Sequence, residues 1–219
     1  NPATGFSYLE RFGQFFNPHV VFLGITLGND IAQTYITRDP GGKKTGFEHG
    51  LEGYEIPREC LRKRNVIEET LWQLDYVYAH LRVVGLFYNQ PRPIISWYYK
   101  QYRFPKAFDP IHGLGFFLKK SLPEIEEAYQ SLFQTLLDYK QFLAQRGIEF
   151  AVEIFPQRFQ VQPKDWALAI KGYGLEESCF DLDLPNTRIN AFCRENSILC
   201  IDPTEAMSKE HKKTGTDYY

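Results

Sequence analysis

Apolar residues fall at three- and four-residue steps between positions 6 and 16 (Phe6, Leu9, Phe12, Phe16), a spacing that predicts a short helix ended by Pro18. Residues 19–27, HVVFLGITL, then form an apolar and β-branched run between proline and glycine, as expected of a buried parallel strand. Residues 31–60 carry Asp39-Pro40-Gly41-Gly42 and further glycines and read as a loop or small insertion. A second helical pattern runs over 65–87 through Ile67, Leu71, Leu74, Val77, Tyr78 and Leu81. Residues 88–118 mix Pro91, Pro93, Pro105 and Pro110 with many aromatics and read as an irregular excursion, a lid or partner surface.

The second half is more regular. Ser121-Leu122-Pro123-Glu124 has the pattern of a capping box, and Ile125, Tyr129, Leu132, Leu136, Tyr139 and Leu143 continue one apolar stripe to Gly147. Residues 148–155 predict a strand that turns at Pro156, 163–169 and 185–195 two short helices, and 198–201 a third strand. Asp202-Pro203-Thr204-Glu205 offers another capping box. Strand, long helix, strand, helix, strand, helix is the order of an α/β doubly wound parallel sheet. A chain of 219 residues is the size of one such domain, so a single domain over 1–219 with an insertion at about 32–118 is expected.

Composition narrows the function classes. With 43% hydrophobic and 24% charged residues the chain is too apolar and too patterned to be disordered. A formal net charge of −2 with scattered basic residues lacks the field of a nucleic-acid binder. The densest basic run, Arg58, Arg62, Lys63 and Arg64, reads as a solvated helix start rather than a phosphate or headgroup site. Cys60, Cys179, Cys193 and Cys200 form no Cys-x-x-Cys pair, which argues against a zinc or redox motif and leaves open pairing among Cys179, Cys193 and Cys200. His19, His49, His80 and His211 are too dispersed for a metal motif, and no cofactor is expected. No apolar run approaches the roughly 20 residues that span a bilayer.

In such sheets ligands bind past the carboxyl ends of the strands, which directs attention to Gly28-Asn29-Asp30, Pro156-Gln157 and Asp202. An asparagine amide there offers two neutral N–H donors to a developing oxyanion. Gly-Asn-Asp also suits a plain turn for backbone reasons.

The stretch from Asn17 to Ile31, with Pro18-His19-Val20-Val21 leading to Gly28-Asn29-Asp30, resembles the third conserved block of the SGNH (GDSL-like) ester hydrolases. Asn1-Pro2-Ala3-Thr4-Gly5 is similar to their second block. Residues 155–161, 183–186 and 193–202 are similar to their later strands and helices, in the subgroup with a large insertion after the third block. The family pattern has Gly-x-Asn, whereas Gly28 abuts Asn29, which affects the role of Gly28 more than that of Asn29.

The resemblance implies a flavodoxin-like three-layer fold and acyl-ester hydrolysis or acyl transfer through an acyl-serine. The Gly5 N–H and the Asn29 amide would be the oxyanion donors, and Asp30 would orient the Asn29 loop. It implies a small acyl-ester substrate, an acetylated saccharide or lipid, and no metal. It also places the Gly-Asp-Ser nucleophile before residue 1 and the Asp-x-x-His base after residue 219, for neither motif occurs at its family position; Asp109-Pro110-Ile111-His112 has the spacing but precedes the long helix. Ser7 reads as a helix-cap residue rather than a nucleophile. With those groups absent, the alternative is a non-catalytic SGNH-like module that binds carbohydrate or a protein partner.

Overall fold

The computed structural model describes residues 1–38, 56–61 and 111–218. The helical pattern at 65–87 and the aromatic stretch 88–110 lie outside the described residues. Helix α1 (Pro2–Phe12) leads to strand β1 (Val20–Thr26) and helix α2 (Asn29–Arg38). After a short helix α3 (Ile111–Leu114) come α4 (Pro123–Ala144), β2 (Glu149–Phe155), α5 (Arg158–Val161) and α6 (Pro163–Tyr173). Helix α7 (Leu184–Glu195), strand β3 (Leu199–Ile201) and helix α8 (Thr204–Thr214) complete the described chain.

The three strands form an open parallel sheet in the order β1-β2-β3. Val20 to Thr26 pair residue for residue with Glu149 to Phe155, and Ala151, Val152 and Glu153 pair with Leu199, Cys200 and Ile201. The class is therefore α/β with a parallel sheet, in keeping with the doubly wound type. Each crossover steps the same way across the sheet, and crossovers of one hand set the described helices α4 and α7 against the same face. That face carries Leu23, Ile25, Phe150, Val152, Ile154 and Cys200, all packed in or against the core.

Helix α4 is the main cover. Its stripe of Ile125, Tyr129, Leu132, Leu136, Tyr139 and Leu143 is buried, Tyr139 stacks on Phe150 of β2 at 5.4 Å, and Phe133 stacks on Phe192 of α7 at 4.2 Å. Removing one fully buried leucine of such a stripe costs about 2–5 kcal/mol, because the cavity left behind collapses only in part.

The opposite face of the sheet is different. Val20 (39%), Phe22 (54%), Phe155 (47%), Leu199 (63%) and Ile201 (40%) stay exposed there. Strand β1 is thus buried on one face only, whereas its unbroken apolar run predicts burial on both.

Several elements depart from the sequence reading. Helix α1 begins at Pro2, four residues early, because Asn1 caps it by accepting the Thr4 N–H at 3.0 Å; Ser7 then sits exposed in the middle of the helix and caps nothing. Residues 31–38 are not loop but the body of α2, where Ile31, Ala32 and Tyr35 bury one helical face. Residues 111–118 are not a surface excursion either: Leu114, Phe116, Phe117 and Leu118 are at most 2% exposed, and Phe117 meets Phe159 edge-on at 5.0 Å. The Ser121 capping box does not form, since the cap position is Leu122 and makes no side-chain cap bond. A capping box does form at α5, from Gln157 and Gln160.

The cysteine pairing is also corrected. Cys60 is bonded to Cys179, while Cys193 and Cys200 remain thiols. The bridge fixes the 56–61 segment to the turn at Glu177–Cys179, reinforced by the Glu176 N–H donating to the Cys60 carbonyl at 2.7 Å. Cys60 is outside the set that proximity in the chain favours, and only the folded arrangement brings it to Cys179.

Candidate functional site

The carboxyl end of β1 leads directly into α2 through Leu27 and Gly28. Gly28 is buried with φ of 84°, a left-handed backbone that side-chain-bearing residues rarely adopt. The turn is also crowded from outside: a Cβ on Gly113 would stand 3.0 Å from the Gly28 Cα. Two glycines therefore let α3 press against the turn that presents Asn29. His112 is the neighbour of Gly113 in α3, but its side chain and Asp109 lie outside what is described.

Asn29 is the first residue of α2 and is exposed. Its Oδ1 accepts from Gln33 Nε2 at 2.9 Å, one turn along the helix. That contact fixes the orientation of the amide: the oxygen points along α2, and Nδ2 is the open end, with no bond to a described residue. Asp30 reaches back to β1, its Oδ2 accepting the Thr26 N–H at 2.8 Å, so the strand end and the helix start are tied together. Arg38 anchors the far end of α2 through Thr135 at 2.8 Å and Asp138 at 2.6 Å, and the Tyr35 hydroxyl bonds to Glu127. The position at the start of a ten-residue helix adds the positive end of the backbone dipole to the Asn29 amide.

The other two strand ends are joined to the first by a polar chain that crosses the sheet edge. Gln157 Nε2 donates to the Leu27 carbonyl, and its own N–H donates to Gln160 Oε1 at 2.7 Å. Gln160 Nε2 donates to Asn186 Oδ1 at 2.7 Å. Asn186 Nδ2 lies 3.0 and 3.1 Å from the two Asp202 oxygens and 2.8 Å from the Thr204 hydroxyl, and Asn190 Nδ2 adds a bond to Asp202 at 2.9 Å. Gly28-Asn29-Asp30, Gln157 and Asp202 are thus brought to one edge. The amides of Gln157, Gln160, Asn186 and Asn190 are all engaged in this relay, which suits it to holding the edge rigid rather than to contacting a ligand. Gln160 and Asn190 are not evident as site residues from the sequence; the Gln157-x-x-Gln160 capping pattern is the signal that marks the first of them.

Comparison with protein families, curated proteins and solved structures finds no match to this chain. The roles of its residues therefore rest on geometry.

Gly5 does not offer its amide as the resemblance implies. It lies inside α1, where its N–H donates to the Asn1 carbonyl at 3.0 Å, so the donor is spent on the helix. Its lack of a side chain serves packing instead: a Cβ would come within 2.7 Å of the Tyr139 hydroxyl, which donates to the Pro2 carbonyl at 3.0 Å. Gly5→Ala is expected to disturb that buried bond and to lower unfolding free energy by about 1–3 kcal/mol, read from urea denaturation. Unchanged stability would mean that Tyr139 moves aside freely and that Gly5 has no packing role.

The remaining candidates sit elsewhere. A cavity of about 380 Å³ opens at the amino edge of the sheet, beside His19, Glu10, Phe142 and Arg146. Parallel sheets present their ligand crevice at the carboxyl end, so this cavity is at the wrong edge to share the chemistry of Asn29. His211 is turned to its own helix end, with Nδ1 2.7 Å from the Thr216 carbonyl. Among the described residues no group of three His, Cys, Asp or Glu is arranged to hold a metal ion, and no helix is long and apolar enough to cross a membrane.

Proposed function

We propose that this chain supplies the oxyanion-stabilising edge of an SGNH-type ester hydrolase or acyl transferase. The observation that carries the reading is the Asn29 amide: exposed past the carboxyl end of a parallel strand, oriented by Gln33, and with Nδ2 unengaged among the described residues. In this reading a serine hydroxyl attacks the ester carbonyl as a histidine accepts its proton. Electron density moves to the carbonyl oxygen, where Asn29 Nδ2 donates to it at the positive end of α2. The intermediate collapses to an acyl-serine, the histidine returns its proton to the leaving alcohol, and water or an acceptor alcohol repeats the sequence. Asp30 acts as a positioning residue through its bond to the Thr26 N–H. Gly5 has no donor role here.

The reading requires a serine and a histidine from outside the 219 residues. A polypeptide that joins these residues to a Gly-Asp-Ser serine and an Asp-x-x-His histidine is expected to turn over p-nitrophenyl acetate and to be labelled at that serine by a fluorophosphonate. Residues 1–219 alone are expected to do neither. Stoichiometric labelling of Ser7 or Ser96 in the isolated chain would show that the nucleophile is misplaced. A joined polypeptide that folds, yet neither turns over nor labels, would overturn the hydrolase reading.

A further inference from the structure

The covered face of the sheet holds a pair of thiols that the proposed reaction does not use. Cys193 lies near the end of α7 and is fully buried. Cys200 is the middle residue of β3, between Leu199 and Ile201, which stand exposed on the other face. Alternation along the strand therefore turns Cys200 inward, to the side on which α7 packs against β3. The Ile198 N–H donates to the Cys193 carbonyl at 2.8 Å and fixes the turn between the two elements. The thiols meet across that interface, close enough to hydrogen-bond to one another.

We infer that Cys193 and Cys200 are a redox couple, which a low-molecular-weight disulfide closes to a second disulfide that clamps α7 to β3. A chain that carries the Cys60–Cys179 bridge is one exposed to thiol oxidants. The two thiols have different tasks. Cys200 is the attacking one: it is half-buried rather than sealed, and the Cys193 S–H beside it holds its thiol below the usual range, against burial and the Asp202 charge. Cys193 is pushed up, first by that same hydrogen bond and then by burial, so it keeps its proton until Cys200 has reacted. The Cys200 thiolate attacks one sulfur of the small disulfide, and the other sulfur leaves as a thiolate. Cys193 then loses its proton to water, its sulfur attacks that of Cys200, and the second small thiol departs. In all, the cysteines give up two electrons and two protons, and the small disulfide is reduced to two thiols. The clamp lies behind the polar relay, because Asn186 and Asn190 of α7 bond to Asp202, two residues beyond Cys200.

The test treats the folded full chain with oxidised glutathione and follows it by mass spectrometry. Trypsin cuts after Arg188 and Arg194, so the two cysteines fall on different peptides that only the new bond can hold together. The oxidised chain is expected to be two hydrogens lighter, to keep no glutathione, and to yield that linked pair. Cys193→Ala is expected to stop at the mixed disulfide, with one glutathione retained on Cys200. Cys200→Ala is expected to leave Cys193 unmodified while the protein stays folded by circular dichroism. In the oxidised wild-type chain the Ile198 amide, at the turn that the bond closes, is expected to exchange its hydrogen at least about tenfold more slowly. A wild-type chain that keeps both thiols or retains glutathione would overturn the proposal, as would modification of Cys193 in folded Cys200→Ala. Unchanged exchange at Ile198 in a chain that does form the linked pair would show that the bond is no clamp.

Discussion

Replacing Asn29 with alanine, in a polypeptide that also carries the serine and histidine, is expected to lower kcat by roughly 10²–10³ with a smaller change in KM. The asymmetry follows from where the amide acts. A neutral ester carbonyl gains little from one more donor, whereas the oxyanion gains most when the donor is already held in place, as the Gln33 contact at 2.9 Å holds it here. Thermal stability should barely move. The side chain is exposed, and its one bond on the helix surface is worth only about 0.2–0.5 kcal/mol. If Asn29 were simply a turn residue, the outcome would be reversed, with a loss of about 1 kcal/mol and unchanged turnover per folded molecule. Measuring kcat and the thermal midpoint on the same preparation separates the two, and an unchanged kcat would remove Asn29 from the chemistry.

Loss of the Cys60–Cys179 bridge should have the largest effect on stability. The two cysteines are 119 residues apart in the chain, and closing a loop of that length restricts the unfolded ensemble by about 4–5 kcal/mol in the chain-entropy account. For a chain of this size that corresponds to a fall in thermal midpoint on the order of 10 °C or more, for the Cys60→Ser/Cys179→Ser double variant or after reduction. The native contacts around the bridge, including the Glu176 N–H to the Cys60 carbonyl, do not involve the sulfurs, so the fold should persist at low temperature. Thiol counting provides the companion check: the unfolded but unreduced chain should expose two thiols, Cys193 and Cys200. A count of four, or a midpoint shift below about 2 °C, would show that the bridge is not a stabilising feature in solution.

The sequence by itself determined the strands, the long helix and the fold class. Residues 19–27 against Val20–Thr26, 148–155 against Glu149–Phe155, and the whole buried stripe of α4 were legible because each is written in a window of a few residues. Spacing decides which side chains share a face, and burial follows from that. The same local logic marked Asn29, Gln157 and Asp202 as strand-end residues.

What the tertiary structure alone decided depends on partners far away in the chain. Gln157 finds the Leu27 carbonyl across 130 residues and Cys60 finds Cys179 across 119, separations at which no periodicity carries information. Residues 111–118 read as surface only because they continue the Pro-rich stretch before them, and they are core because Phe159 and the long helix α4 are there to receive them. Gly5 shows the converse: its motif resembles a donor, but the Asn1 carbonyl one turn back takes the N–H once the helix starts at Pro2. Whether a strand is covered on one face or two is likewise a property of the neighbouring layer. Phe22 and Leu23 look equally apolar in sequence, but the described helices pack on one side, so the first is exposed and the second is seated against the core.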